Sequence, residues 1–231
     1  MKELTELQAA DAYCRYLAGR HYENFSVASL ILPSALRLHL ARIYAFCRTT
    51  DDLGDESGQS ALPRLALWRE QVQQCFDEGP DPVHPVLVAL RRTIAAFALP
   101  TRPFLDLIEA NVQDQLVSVY DTWDELRQYC LLSAAPVGRL VLRVFGVQDP
   151  RAERLLASGL ELEEMVPGRL RLQLALYRLG GMAILAAIRR MGYRTDRARP
   201  HVSIPVKAGL VPLAFVQSRK GRGYVRTQRA V

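Results

Sequence analysis

Three aspartates stand within five positions in the stretch IYAFCRTTDDLGDE, residues 43–56: Asp51, Asp52 and Asp55, with Arg48 and Tyr44 just upstream. If Leu36 to Leu53 is helical, steps of four, three and four residues set Tyr44, Arg48, Asp51 and Asp55 along one stripe. Leu40, Ile43 and Cys47 fall on the opposite side, with Phe46 between them. The helix dipole is negative at this end, so each exposed carboxylate there is disfavoured by about 0.3–1 kcal/mol. Stability alone gives no reason to collect three. Arg48 offsets one charge, and a divalent cation offsets more. Hard ions such as Mg²⁺ take one or two protein carboxylates and fill the remaining positions with water and phosphate oxygens. The stripe therefore fits half of a site for a metal-bridged diphosphate, with Arg48 and Tyr44 as phosphate donors. A solvated helix end running into the acidic loop DESGQ fits the same residues.

The elements that would hold this cluster are helices. Apolar residues recur at helical spacing along nearly the whole chain, and alternating runs of strand type are almost absent, so the expected fold class is all-α. Thr5 is expected to cap a helix running to about Gly19. The acidic cluster ends a second helix that starts near Ala35, and Pro63 opens a third toward Cys75. Further helices are expected over about 84–98 and 103–119, the latter opened by Thr101 with Pro103 in its first turn. Thr122 caps the next, with Asp124 and Glu125 where the dipole favours acids. Pro136 and Gly138 bend the chain before RLVLRVFG. A long helix from Pro167 tolerates the Gly180–Gly181 pair, expected at a close helix contact. After Arg197, Pro200, Pro205 and Pro212 point to loose or peripheral structure, and residues from about 216 form a basic tail.

The chain has 231 residues, 49% hydrophobic and 23% charged, which suits one domain with its own core over residues 1–231. Its net charge of +6 comes mainly from arginine. That balance suits a phosphate-bearing partner or an anionic membrane surface. No zinc spacing, aromatic RNA-binding strand or helix-turn-helix pattern accompanies the arginines, so nucleic acid is not the expected partner. Cys14, Cys47, Cys75 and Cys130 are scattered, as reduced thiols of a cytoplasmic protein are. The N-terminal sequence lacks a basic segment followed by an apolar one, and no apolar run reaches the length of a membrane span. The expected location is the cytoplasm, with room for peripheral attachment to the inner face of a membrane.

The segment from His21 to Glu56 resembles the squalene/phytoene synthase family, whose first acidic motif reads Y-A-x-C-R-x-x-D-D-x-x-D at this distance from a Leu-Pro pair, here Leu32–Pro33. HYENF, residues 21–25, resembles the hopanoid-pathway HpnC-type subgroup of squalene and hydroxysqualene synthases. The likeness continues over residues 106–146, where Asp114, Tyr120 and Tyr129 match motif positions, and again from Leu155 to Pro200. The resemblance implies an isoprenoid-synthase-type helical bundle around a central cavity. It implies Mg²⁺ on Asp51 and Asp55, with Asp52 beside them, and diphosphate contacts from Arg48 and Tyr44. His21 and Asn24 fall in a phosphate-binding segment, although packing or capping explains His21 as well. Asp114 would face the cavity, or else lie on the surface, and core or interface roles suit both tyrosines.

The same resemblance implies conversion of presqualene diphosphate or farnesyl diphosphate to squalene or hydroxysqualene. Head-to-head condensation of two prenyl diphosphates is the alternative within the family. Water-insoluble substrates and products imply peripheral membrane and pathway-enzyme contacts, which the arginine-rich tail would suit. One family feature is missing. The second acidic motif, N-x-x-Q-D-x-x-x-D followed by G-R-x-Y, has no counterpart, and the family's order of segments is interrupted near Arg154. Asp149, Glu161, Glu163 and Glu164 are the nearby acids, and they read as a solvated face. Ionising a prenyl diphosphate needs charge stabilisation over the whole leaving group. Without the second motif, the expectation is impaired activity, or a scaffold that binds a prenyl lipid or a partner protein.

Overall fold

The computed structural model describes residues 2–20, 32–77, 81–148, 166, 168–192 and 203–220. His21, Asn24, Asp149, the glutamates at 161, 163 and 164, the interruption near Arg154 and the end of the basic tail lie outside them. All regular structure among the described residues is helical, as the periodicity predicts. The chain divides into two compact units: Met1–Ser26 with Pro33–Gln148, and Val27–Leu32 with Asp149–Val231.

The first unit holds α1 (Lys2–Arg20), α2 (Ser34–Asp55), a short 3-10 turn (Gly58–Ser60), α3 (Ala61–Gln74), α4 (Pro85–Phe97), α5 (Arg102–Leu116), α6 (Trp123–Ser133) and α7 (Ala135–Val144). At its centre is α2, which packs against α1, α3, α4, α5 and α7. The apolar side predicted for this helix is buried at Leu40, Ile43 and Phe46. Cys47 is half-buried. Phe46 stacks on Trp68 with ring centroids 6.0 Å apart and meets Phe104 edge-on at 5.1 Å. Such pairs contribute about 0.5–1.5 kcal/mol beyond the area they bury. Buried Thr50 satisfies the one polar atom of Trp68, accepting from Nε1 at 2.9 Å while its own hydroxyl donates to Phe46 O at 2.9 Å. Aromatic packing thus fixes α2 against α3 and α5 one turn before the acidic cluster.

A buried ion pair fixes the other side. Arg42, 5% exposed, donates from Nε and Nη2 to the two carboxylate oxygens of Asp11 at 2.8 and 2.9 Å, joining α2 to α1. Its Nη1 donates to Thr93 Oγ1 on α4 at 3.3 Å. The same Thr93 oxygen is hydrogen-bonded to His39 Nδ1, 3.0 Å away. Burial, followed by the Arg42 charge, lowers the His39 pKa. His84 is held neutral at Nδ1, which caps α4 by accepting from Val86 N at 3.3 Å, and burial lowers its pKa too. Both histidines bind protons more readily unfolded than folded. Their contribution to stability is therefore complete above about pH 6.5 and is lost as pH falls through the lowered folded values. Thermal unfolding followed from pH 7.5 downward is expected to show a midpoint that falls below pH 6.5, and His39→Gln/His84→Gln should flatten that fall.

Local signals predicted most boundaries. Thr122 makes a complete capping box with Glu125: Thr122 Oγ1 accepts from Glu125 N at 3.2 Å, and Glu125 Oε2 accepts from Thr122 N at 3.0 Å. Thr101 occupies the cap position of α5 without a side-chain capping bond. Pro136 falls in the first turn of α7, just after the break at Ala134. Thr5 is a correction, since α1 begins at Lys2 and Thr5 lies inside it.

The second unit holds α8 (Gly168–Arg190) and α9 (Ile204–Lys220), which pack together. The helix predicted through Gly180–Gly181 is present, and no close contact at the pair is found among the described residues. A side chain added at either glycine would meet nothing within 4 Å among the described residues. Of the loose or peripheral structure predicted around Pro205 and Pro212, the loose part is corrected, because α9 runs through both. Pro205 is tolerated in the first turn, where its missing N–H has no helical partner to lose, and Pro212 lies in the apolar run LVPLAFV.

Candidate functional site

The acidic cluster occupies the last turns of α2. Arg48 does offset one charge, that of Asp52: its Nη2 pairs with Asp52 Oδ1 along the helix and lies 3.7 Å from Glu56 Oε1. Burial opposes the Arg48 charge, but the hydrogen bond and charge of Asp52 prevail and hold its pKa above the usual arginine range. Arg48 Nε is buried and has no hydrogen-bond partner among the described residues. Tyr44 is half-buried one turn back, and burial raises its phenol pKa, so it stays a neutral donor.

Asp51 is set differently. Its Oδ1 accepts from Asn111 Nδ2 on α5 at 3.3 Å. The carboxylate keeps an open side, yet the packing around it desolvates it, and Asp55 and Asp52 repel it. These effects outweigh the bond from Asn111 and the Arg48 charge, and the Asp51 pKa lies above the ordinary aspartate value. Asp55, one turn further on, is exposed. The charge on Asp51 is therefore disfavoured by its surroundings, and Asp55 stands one helical turn away on the same face.

Gly54, inside the cluster, sits against α5. A Cβ there would lie 2.7 Å from Asn111 Oδ1 and 3.5 Å from Gln115 Nε2. Neither Asn111 nor this use of Gly54 is among the residues the sequence singles out. The signal for Asn111 is a polar side chain on the apolar stripe Phe104, Leu107, Ile108, Asn111. The glycine reads in sequence as a helix stop.

Three residues beyond Asn111 on the same helix, Asp114 Oδ2 accepts from Tyr129 Oη at 2.9 Å. The Tyr129 and Tyr120 rings lie 5.4 Å apart. Burial, then the Asp114 bond and charge, push the Tyr129 phenol up to about 12. Tyr120 Oη is buried with no partner among the described residues. Asp114 itself is exposed, and exposed Leu116, Val117, Val119 and Trp123 follow it along the chain. Through α5, the structure links two groups that lie far apart in sequence: Asp51 by way of Asn111, and the pair Asp114 and Tyr129.

The donor set decides which metal arrangement the chain can support. Among the described residues, no three His, Cys, Asp or Glu side chains converge as a preformed metal centre. Asp52 is engaged by Arg48, which leaves Asp51 and Asp55. Two hard carboxylates, both exposed, fit a magnesium ion completed by water and diphosphate oxygens, rather than an all-protein cage.

The squalene/phytoene synthase family model matches residues 18–154, and the match ends where the second acidic motif is missing. The chain is 34% identical to phytoene synthase of Arthrospira platensis over 150 residues, 63% of this chain and 48% of the relative. It is 36% identical to hydroxysqualene synthase of Rhodopseudomonas palustris over 145 residues, 61% of this chain and 48% of that protein. In structure it is similar to squalene synthase HpnC from Alicyclobacillus acidocaldarius, with a TM-score of 0.75 and 38% identity over 82% of this chain and 96% of the other. The fold and its neighbours define the class as proteins of isoprenoid-synthase-type helical fold. Within that class, the chain belongs to the squalene/phytoene synthase family. It spans about half the length of the curated relatives it matches.

Proposed function

We propose that the protein is a magnesium-dependent prenyl-diphosphate enzyme of squalene and hopanoid biosynthesis, acting on presqualene diphosphate or farnesyl diphosphate to give squalene or hydroxysqualene. The observation that carries this reading is the Asp51 carboxylate, held by Asn111 and one helical turn from Asp55, in a cluster where Arg48 already neutralises Asp52. Asp51 and Asp55 would hold Mg²⁺, which neutralises charge on the diphosphate as its bond to carbon breaks. Arg48 would assist departure of the same diphosphate, and Tyr44 would donate from a neutral phenol. The high pKa of Tyr129 keeps its proton on the Asp114 bond, so this pair orients polar groups rather than exchanging protons at neutral pH. Exposed Leu116, Val117, Val119 and Trp123 offer apolar surface suited to a polyprenyl chain. The relatives named phytoene synthase and hydroxysqualene synthase support an enzyme of the squalene/phytoene type. Such work would suit a location in the cytoplasm, at the inner face of a membrane that holds the water-insoluble product.

A second reading is favoured by the missing second motif and by the absence of a three-ligand centre among the described residues. In it, the chain binds a prenyl lipid or a pathway enzyme without turnover. Incubation with Mg²⁺ and either diphosphate, followed by extraction and chromatography, separates the two. An enzyme yields a C30 hydrocarbon or alcohol that disappears when EDTA is added. The binder yields no product while retaining magnesium-dependent affinity for the substrate, and loss of both would leave neither reading standing.

A further inference from the structure

Asn111 is 8% exposed, and its amide is divided between two elements. Nδ2 donates to Leu107 O, one turn back on α5, at 3.1 Å, and to Asp51 Oδ1 at 3.3 Å. Leu107 O can only accept, so the nitrogen must face it, and rotating the amide would set oxygen against oxygen. The donor is therefore fixed toward Asp51 by the α5 backbone itself. The opposite side of the amide needs space, and Gly54 supplies it: a Cβ there would come within 2.7 Å of Oδ1 and 3.5 Å of Cγ. Glycine is unfavourable inside a helix, and this one stands within the acidic cluster, where a side chain would displace the amide.

We infer that Asn111 is a positioning residue for Asp51, with Gly54 as its clearance. The amide holds one carboxylate oxygen so that the other faces a cation shared with diphosphate. This inference rests on the metal and diphosphate reading given under Proposed function. Hydrogen-bond partners of metal-ligating carboxylates typically change metal affinity 10–100-fold when removed, whereas a packing role lowers stability without moving the metal dependence.

The test is calorimetric titration of the full chain with Mg²⁺ at fixed inorganic pyrophosphate, with the thermal midpoint measured alongside. Asn111→Ala is expected to raise the half-saturating Mg²⁺ concentration about 10-fold, leaving pyrophosphate affinity at saturating Mg²⁺ much less affected. Gly54→Ala should shift it in the same direction by displacing the amide. The double variant should be no worse than Asn111→Ala alone, because the group being displaced is already gone. Unchanged Mg²⁺ dependence in Asn111→Ala, with binding lost in Asp51→Ala, would overturn the positioning role and leave the site reading intact. Equal binding by the unmodified protein and Asp51→Ala would overturn the site reading and this inference with it. If Asn111→Ala does not melt cooperatively, Gly54→Ala decides, and an unchanged Mg²⁺ requirement there overturns the inference.

Discussion

Asp51→Asn is expected to raise the thermal midpoint of the protein while removing its magnesium-dependent function. The sign follows from the raised pKa of Asp51: above that value the folded state carries a charge that desolvation, Asp55 and Asp52 all disfavour. Asparagine keeps the shape, can still accept from Asn111 Nδ2, and carries no charge. The gain should be about 1–3 °C for a chain of this size. It should be fully present at pH 7 and shrink as pH falls through the raised folded pKa, because the native aspartate then protonates and loses the same penalty. Asp52→Asn should act in the opposite direction, since Arg48 loses its partner on the same helix. Turnover or magnesium-dependent substrate binding should drop about 100-fold or more in Asp51→Asn, the scale on which a preorganised charge-stabilising group acts. Paired melting curves and titrations check both halves. A variant that is less stable at pH 7 would show that the Asp51 charge is not a cost to the fold.

Asp11→Ala should be among the most damaging substitutions outside the acidic cluster. It leaves the Arg42 guanidinium buried with Thr93 as its remaining hydrogen-bond partner, and breaking a buried pair from one side costs about 3–5 kcal/mol. For a chain of this length that is a fall in midpoint on the order of 10 °C. Since α1 packs against α2 and α4, the damage should spread along α2 toward the site. Adding Arg42→Met to Asp11→Ala should recover part of the loss by removing the stranded charge. Glu109→Ala is the control, because its pair with Arg69 is well solvated and worth about 1 kcal/mol or less. Urea unfolding of the four proteins would distinguish these sizes clearly.

What could be read from the sequence was what local spacing determines. The apolar side of α2, the acidic cluster at its end and the Thr122 capping box each depend on residues within one or two turns of each other. The bonds that give the site its character do not. Asn111 meets Asp51 across 60 positions and Arg42 meets Asp11 across 31, and one sequence contains no signal that pairs such residues. Gly54 was legible only in part for a related reason: glycine near a helix end suggests a stop, and α2 does end at Asp55, but its use as clearance appears only when α5 lies against it. Pro205 and Pro212 suggested loose or peripheral structure, and α9 continues through both. Arg48 was correctly expected to offset one aspartate, but four-residue spacing alone did not single out Asp52 over the stripe with Asp51 and Asp55.

The central claim is that Asp51 and Asp55 at the end of α2 hold a cation against a prenyl diphosphate. Its most direct test is calorimetric titration with farnesyl thiodiphosphate, a slowly ionising analogue, in the presence and absence of Mg²⁺, for the unmodified chain and for Asp51→Ala/Asp55→Ala. The account predicts saturable binding by the unmodified chain that requires Mg²⁺ and is lost in the double variant. Binding of equal strength in both proteins, or binding indifferent to Mg²⁺, would contradict it.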